Sequence, residues 1–319
     1  MDPADVLGVL AHPGGVLVDR PELTVGVLQA TSSTVGFEIE LVARRPLDPR
    51  TAEQRQADIR AGVATRRLLP AYDEGLDLRF GWLDAAGGAR WSYPSRSNSD
   101  SGAPVRGEGG PSLRAQHLLP PLFDAASFIL AWPEIGFPET VVRLALPDRA
   151  TVDRNTVSIW DAPPPAVVPV DAGIAYLNDA VPAAPVEPET GRAAASPRLL
   201  HRGEHAAVVL TRLTAVGPFL SMEVRSVARG DVGARVAESA FASPESTVPE
   251  LWPGASIAVL DGAGARRLRP DEAAATGRAD AFEDTSEYAF DRPDGDRLDL
   301  VVGWPAAALP DVRVSVPIG

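Results

Sequence analysis

The chain contains no cysteine, and all 30 of its basic residues are arginine, so lysine is absent as well. Without cysteine there are no disulfides, no thiolate metal ligands and no cysteine nucleophile. Without lysine there is no Schiff-base chemistry and no P-loop lysine. Histidine is scarce, at four residues. No stretch approaches the ~20 consecutive apolar residues of a membrane-spanning helix. The apolar segment from Val6 to Val18 has no basic residues before it and is broken by His12-Pro13-Gly14-Gly15, so it does not read as a secretory signal. A cytoplasmic protein is expected. Positive charge is also in deficit: 43 acidic against 30 basic residues leave a net charge of −13. That balance argues against nucleic acid and against an anionic membrane surface as partners, because both require clustered positive charge. Arginine without lysine, amid abundant alanine, proline and glycine, follows the codon bias of a GC-rich bacterium and says nothing about function.

What is present is an internal echo. Phe128-Ile129-Leu130-Ala131-Trp132-Pro133, followed by Pro138-Glu139, matches Leu300-Val301-Val302-Gly303-Trp304-Pro305, followed by Pro310-Asp311. Both copies continue, as Val142-Arg143-Leu144-Ala145-Leu146-Pro147 and Val312-Arg313-Val314-Ser315-Val316-Pro317. Upstream, Phe80-Gly81-Trp82-Leu83-Asp84 with Arg90 is echoed by Ile257-Ala258-Val259-Leu260-Asp261 with Arg266, and Val25 to Arg44 resembles Ala207 to Arg229. A period this long exceeds a solenoid unit, so each copy is expected to be a domain. The expected organisation is a first β-sandwich-like lobe over residues 1–165, a Pro/Ala-rich connection over 166–197 and a second such lobe over 198–319. A chain of 319 residues with 45% apolar content suffices for two such cores.

Alternation supports an all-β fold. Phe37, Ile39 and Leu41 alternate with Glu38 and Glu40; Leu220, Met222 and Val224 with Ser221 and Glu223; Leu76, Leu78, Phe80 and Trp82 with Asp77, Arg79 and Gly81. One small helix is expected over Thr51 to Arg67, and Asp231 to Phe241 is the matching interval for a shorter one. Pro94 to Ser112, rich in Ser, Gly and Arg, reads as a mobile loop. Ile174 to Leu177 reads as a short strand inside the connection. Asp271 to Asp299, with ten acidic residues and three arginines, reads as a solvated loop plus a hairpin.

Few residues suggest chemistry. His201-Arg202-Gly203-Glu204-His205 spells the inverted zinc-protease signature, but that motif needs a helix, and Gly203 with Pro197 nearby reads as a turn before a strand. The acidic run Asp291 to Asp296, with Asp299, Glu283 and Asp284, matches no calcium-loop spacing, and Pro293-Asp294-Gly295 is a turn by itself. No metal and no cofactor are expected. If Leu83 pairs with Arg90, Trp82 faces Trp91 and Phe80 faces Tyr93, giving an aromatic ladder. Trp82, Trp91, Tyr93 and Arg90 are therefore the candidate ligand-binding residues, although a core face is the stronger reading of the same pattern. Trp132, Pro133, Trp304 and Pro305 recur in both copies and read as structural anchors. No nucleophile elbow, P-loop or dinucleotide fingerprint is present.

These features lean away from an enzyme. The expected function is that of a non-catalytic tandem β-sandwich acting as a protein-interaction or assembly component, with a protein partner or self-association. One alternative is a small-molecule or carbohydrate binder using the aromatic hairpin. Another is a metal-independent isomerase- or cyclase-type enzyme with a carboxylate, Arg and Tyr pocket.

Overall fold

The computed structural model describes residues 5–45, 78–100, 112–132, 135–170, 175–177, 191–241, 253–261 and 264–319. The protein is mostly β, at 63% strand, with several antiparallel sheets and two helices among the described residues. Strand alternation decides this: apolar side chains two residues apart fall on one face of a strand and can be buried together. The chain divides into two compact units. One is Gly8–Thr156 with Pro188–Arg192; the other is Met1–Leu7, Val157–Glu187 and Ala193–Gly319.

Strand β1 (Val6–Leu7) belongs to the second unit. The first unit contains β2 (Val9–His12), β3 (Gly15–Arg20), β4 (Leu23–Ser32), β5 (Phe37–Arg44), β6 (Arg79–Leu83), β7 (Ala89–Ser92), β8 (Arg96–Asp100), β9 (Ser112–Leu119), β10 (Ala125–Trp132), β11 (Phe137–Ala145) and helix α1 (Arg149–Asn155). One sheet runs β2-β4-β5-β9-β8, with β3 also on β4; the other runs β11-β10-β6-β7. Both sheets supply the core. Leu23, Val25, Val27, Phe37, Ile39 and Leu41 meet Phe80, Phe128 and Leu130. Phe128 lies 5.7 Å from Phe37 and 5.3 Å from Phe80, ring centre to ring centre. Burying each large side chain stabilises by roughly 1.5–3 kcal/mol. Helix α1 starts where Asp148 accepts the Thr151 backbone N–H at 2.7 Å, which caps an otherwise unpaired donor.

The second unit adds β12 (Val157–Ser158), β13 (Val167–Pro169), β14 (Tyr176–Leu177), β15 (Arg192–Ala195), β16 (Arg198–Arg202), β17 (Ala206–Val216), β18 (Phe219–Arg229), α2 (Gly230–Phe241), β19 (Ser256–Asp261), β20 (Gly264–Arg267), β21 (Glu272–Arg278), β22 (Ala281–Asp291), β23 (Arg297–Trp304) and β24 (Leu309–Pro317). One sheet runs β15-β17-β18-β22-β21, with β16 also on β17; a second runs β13-β24-β23-β19-β20-β14; β1 and β12 form a small separate pair. The core again draws on both large sheets, with Leu210, Met222, Val224 and Phe290 against Ile257, Leu300, Val302 and Val316. Helix α2 buries Val236 and Ala237. At Gly233 a Cβ would come within 2.8 Å of the Ala228 carbonyl and 2.9 Å of Ala281 Cα, so this close approach requires glycine.

Several expectations change. Part of the predicted Pro94–Ser112 loop is strand: β8 pairs with β9 from Arg96↔Gln116 to Asp100↔Ser112. Its Ser, Arg and Asn content suits an edge strand, where backbone pairing holds residues that apolar packing does not. The acidic Asp271–Asp299 interval holds the expected hairpin, as β21–β22, and a largely exposed turn at Asp291–Asp296; what differs is that Asp284 and Glu287 are buried. Within the 166–197 connection, β13 pairs with β24, and β14 adds in parallel to β20. The expected strand at Ile174–Leu177 is thus present as Tyr176–Leu177, and Asp231–Phe241 is helical. The helix expected over Thr51–Arg67 lies outside the described residues.

Candidate functional site

The aromatic hairpin does not form a ladder. Its turn closes early, because Asp84 exchanges backbone hydrogen bonds with Gly87 and Gly88 and its carboxylate accepts the Ala86 and Gly88 N–H groups at 3.0 and 2.8 Å. The Gly88 backbone bond is the main reason that the Asp84 carboxyl sits below its ordinary pKa; Arg90, 3.0 Å away, adds to it. The resulting register is Leu83↔Ala89, Trp82↔Arg90, Gly81↔Trp91 and Phe80↔Ser92. A one-residue shift turns every side chain over. Trp82 therefore packs against the core, with Arg90 opposite, while Trp91 lies on the other face over Gly81. Trp91 and Tyr93 make an edge contact at 6.3 Å, and Tyr93 is 56% exposed. The four candidate ligand-binding residues are split between two faces.

Inside the first unit, the side chain that enters the core beside Phe80 is Ser92. Its Oγ is hydrogen-bonded to His117 Nδ1 at 3.1 Å, joining β7 of one sheet to β9 of the other. His117 is 2% exposed and lies 4.5 Å from the Phe80 ring. Burial pulls its pKa down to about 4, and a hydrogen bond with the Tyr93 backbone opposes that only partly. A serine and a histidine in contact suggest nucleophilic catalysis. Here the pair is closed inside a core, and the arrangement is a polar tie between sheets.

In the second unit, chemistry-bearing residues from β14, β16, β20 and β24 are linked through their side chains. The Tyr176 hydroxyl donates to the Asp311 carboxylate, and the Arg267 guanidinium lies 4.9 Å from the centre of the Tyr176 ring. Burial, then the Asp311 hydrogen bond and charge, push the Tyr176 hydroxyl up to about 12. His201 Nε2 bonds to the Pro310 carbonyl at 3.0 Å; burial lowers its pKa, while that bond and the nearby Asp311 charge oppose the shift. The Asp311 carboxylate lies over Gly303, where a Cβ would meet Oδ1 at 1.9 Å. The sequence reading of His201–His205 as a turn before a strand agrees with the strand pattern. His201 lies within β16, which ends at Arg202; Gly203–His205 is the turn, and β17 starts at Ala206, so no helix brings His201 and His205 together.

A second polar group crosses the first sheet of this unit. Arg212 pairs with Glu223 across β17–β18, and Glu223 with Glu287 across β18–β22. Arg212 is 3% exposed, and its guanidinium is 3.3 Å from Glu287 and 3.0 Å from Ser221 Oγ. The Thr211 hydroxyl donates to Glu223 at 2.5 Å. On the opposite, core-facing side, Ser286 donates to the buried Asp284 carboxylate at 2.8 Å, and burial pushes the Tyr288 hydroxyl up. The acidic residues read as a calcium candidate do not converge. Asp284 is buried, Asp291, Asp294 and Asp296 are exposed, and Asp299 is held by Arg313 at 2.8 Å and by the Ser315 hydroxyl.

Both recurring tryptophans are buried, Trp304 at 0% and Trp132 at 3% exposure. Trp304 Nε1 donates to the Pro253 carbonyl at 2.7 Å, its ring lies 6.0 Å from Phe282, and Pro305 opens a single 3-10 turn. Trp132 is covered by the Arg45 guanidinium at 4.7 Å. Pro133 lies outside the described residues.

No family model matches the chain, and no curated protein matches it. A solved structure described as the conserved domain protein from Bacillus anthracis is similar at 9% identity over 92% of this chain and 77% of that one, with a TM-score of 0.23. A likeness at that score carries no argument about function.

Proposed function

We propose that the chain is a pair of β-sandwich lobes made by internal duplication and acts as a non-catalytic protein-interaction or assembly component. Duplication is supported by register. In the first unit Trp82, Gly81 and Phe80 pair with Phe128, Ile129 and Leu130; in the second, Val259, Ala258 and Ile257 pair with Leu300, Val301 and Val302. The β4–β5 pairing shifts between Val27 and Gln29, and the β17–β18 pairing shifts between Leu210 and Arg212. In the first case the sequence echo and the strand pairing pick out the same residues; in the second the shifts fall within the echoed segments. Bulges tend to be kept within a family, which makes the shared shift informative.

One observation carries the non-catalytic reading: the residues suited to chemistry join strands to one another. Ser92–His117 ties two sheets, and Tyr176–Asp311 ties β14 to β24. Native mass spectrometry of the purified chain, before and after mild denaturation, tests it. A mass equal to the chain or an integer multiple of it agrees with the proposal. Extra mass that leaves on denaturation overturns it in favour of a bound small molecule.

A second reading, a small-molecule or carbohydrate platform, is favoured by the Trp91–Tyr93 edge pair on the outward face over Gly81. Aromatic faces of this kind stack on sugars and planar rings. A saccharide that quenches tryptophan fluorescence in the wild type but not in Trp91→Ala would support it.

A further inference from the structure

We infer that the β11 edge of the first unit is a self-association surface, where this strand pairs antiparallel with β11 of a second copy about a two-fold axis at Val141. This rests on the assembly reading above and names the surface that carries it. In the second unit both ends of the β24-β23-β19-β20 sheet are capped by the chain itself, β24 by β13 and β20 by β14. In the first unit, among the described residues, the corresponding sheet ends at β11, and no strand pairs with its outer edge. Such an edge presents a row of N–H and C=O groups that another strand can extend.

The sequence of β11 selects the occupant. The strand runs Phe137–Ala145, so Val141 is its midpoint. Val141 is 48% exposed, one of few large apolar side chains in that state. It shares a strand face with Glu139 and Arg143, two residues away on either side. In an antiparallel pair centred on Val141, each Val141 faces the other, and each Glu139 faces Arg143 of the second copy. Opposite charges directly across a ladder attract. Sliding the pair to centre on Glu139 opposes two carboxylates, and centring it on Arg143 opposes two guanidinium groups. The charges therefore fix one register, and in it the strand overlaps its copy from end to end. An isologous contact of this kind closes at two copies and does not propagate. The interface is a single strand edge, well below the area of a tight complex, so the dimer is expected to be weak and concentration-dependent.

Sedimentation equilibrium of the full chain between about 1 μM and about 1 mM reads the outcome. A reversible monomer–dimer equilibrium is expected. Glu139→Arg alone opposes two arginine pairs, and Arg143→Glu alone opposes two glutamate pairs; each is expected to raise the dimer dissociation constant by roughly tenfold. The double exchange Glu139→Arg/Arg143→Glu restores opposite pairing and is expected to return the constant to near the wild-type value. Val141→Lys places two like charges at the axis and is expected to leave monomer only. Far-ultraviolet circular dichroism and melting temperature of each variant confirm folding, and Val141→Lys, at an exposed site, provides a test independent of the Glu139 and Arg143 side chains. A chain that is monomeric throughout overturns the inference. So does a dimer indifferent to the single exchanges and to Val141→Lys, although that result leaves the assembly reading standing through another surface.

Discussion

The hydroxyl of Tyr176 donates to the carboxylate of Asp311, 135 residues further along the chain. Asp311 is the third residue of β24, and Tyr176 belongs to a two-residue strand at the far end of the same sheet. The bond fastens β14, which otherwise relies on a short parallel pairing with β20. Tyr176→Phe is expected to destabilise the second unit by about 1–3 kcal/mol, the range for losing a hydrogen bond to a charged group. Gly303→Ala, whose Cβ displaces the Asp311 carboxylate, should act through the same bond. In a double-mutant cycle the two losses are therefore expected to be much less than additive. Full additivity of the melting data would show that the two residues act separately. The same bond sets an alkaline limit. Tyr176 ionises near 10 in the unfolded chain and near 12 when folded, so its contribution is complete below pH 10 and is lost as pH rises towards 12.

Acid should weaken the first unit through His117. The unfolded chain binds this proton near pH 6.5 and the folded chain near 4, so the unfolded state is favoured as pH falls from 6.5 towards 4. The full loss is roughly 3 kcal/mol. His117→Gln keeps a polar partner for Ser92 and removes the titration. Chemical denaturation at about pH 7 and about pH 4.5 is expected to show a smaller acid loss in the variant than in the wild type. Equal losses in both proteins would mean that other groups dominate.

Trp304→Ala and Trp132→Ala are each expected to cost about 3–5 kcal/mol, as for a large buried aromatic. Trp304→Phe separates packing from hydrogen bonding. It keeps most of the contact with Phe282 but leaves the Pro253 carbonyl without its indole donor, so a loss of about 1–3 kcal/mol is expected. Wild-type melting of both alanine variants would remove the anchor role.

Ala308 sits at φ 58°, in the left-handed region, directly after the 3-10 turn that follows Trp304. Gly136 holds φ 81° at the matching place after Trp132. Steric strain at a left-handed alanine outweighs the extra freedom that glycine adds to the unfolded chain. Ala308→Gly is therefore expected to stabilise by about 0.5 kcal/mol, seen as a higher denaturation midpoint with an unchanged slope.

Much of the strand framework was legible, because alternation such as Phe37-Ile39-Leu41 reports which face is buried. Pairing partners were less so. The Trp82–Trp91 ladder was misplaced by one residue because the Asp84 carboxylate, accepting from Ala86 and Gly88, decides where the turn closes, and alternation is silent on that point. Strand β8 was missed because Ser, Asn and Arg hold an edge by backbone bonds without an apolar signal. The Tyr176, Asp311, His201 and Arg267 group was invisible for a different reason. Its members come from four strands distant in sequence, and only the connection's return to the sheet brings them together. Glu287 and Asp284 looked like solvated charges because the Arg212 guanidinium that pairs with Glu287 and the Ser286 hydroxyl that donates to Asp284 are found only through tertiary pairing or strand geometry.

The small β1–β12 pair bears on how the molecule is made. Val6 and Leu7 are joined to Val157 and Ser158, and the Trp160 indole reaches back to Asp5 at 2.8 Å. A ribosome that has made β1 must therefore add some 150 more residues before its partner strand exists, a delay of roughly 10–30 s at ordinary elongation rates. During that interval the intervening segment, Gly8–Thr156, can complete its own sheets, so β1 is made before that segment yet pairs only after it.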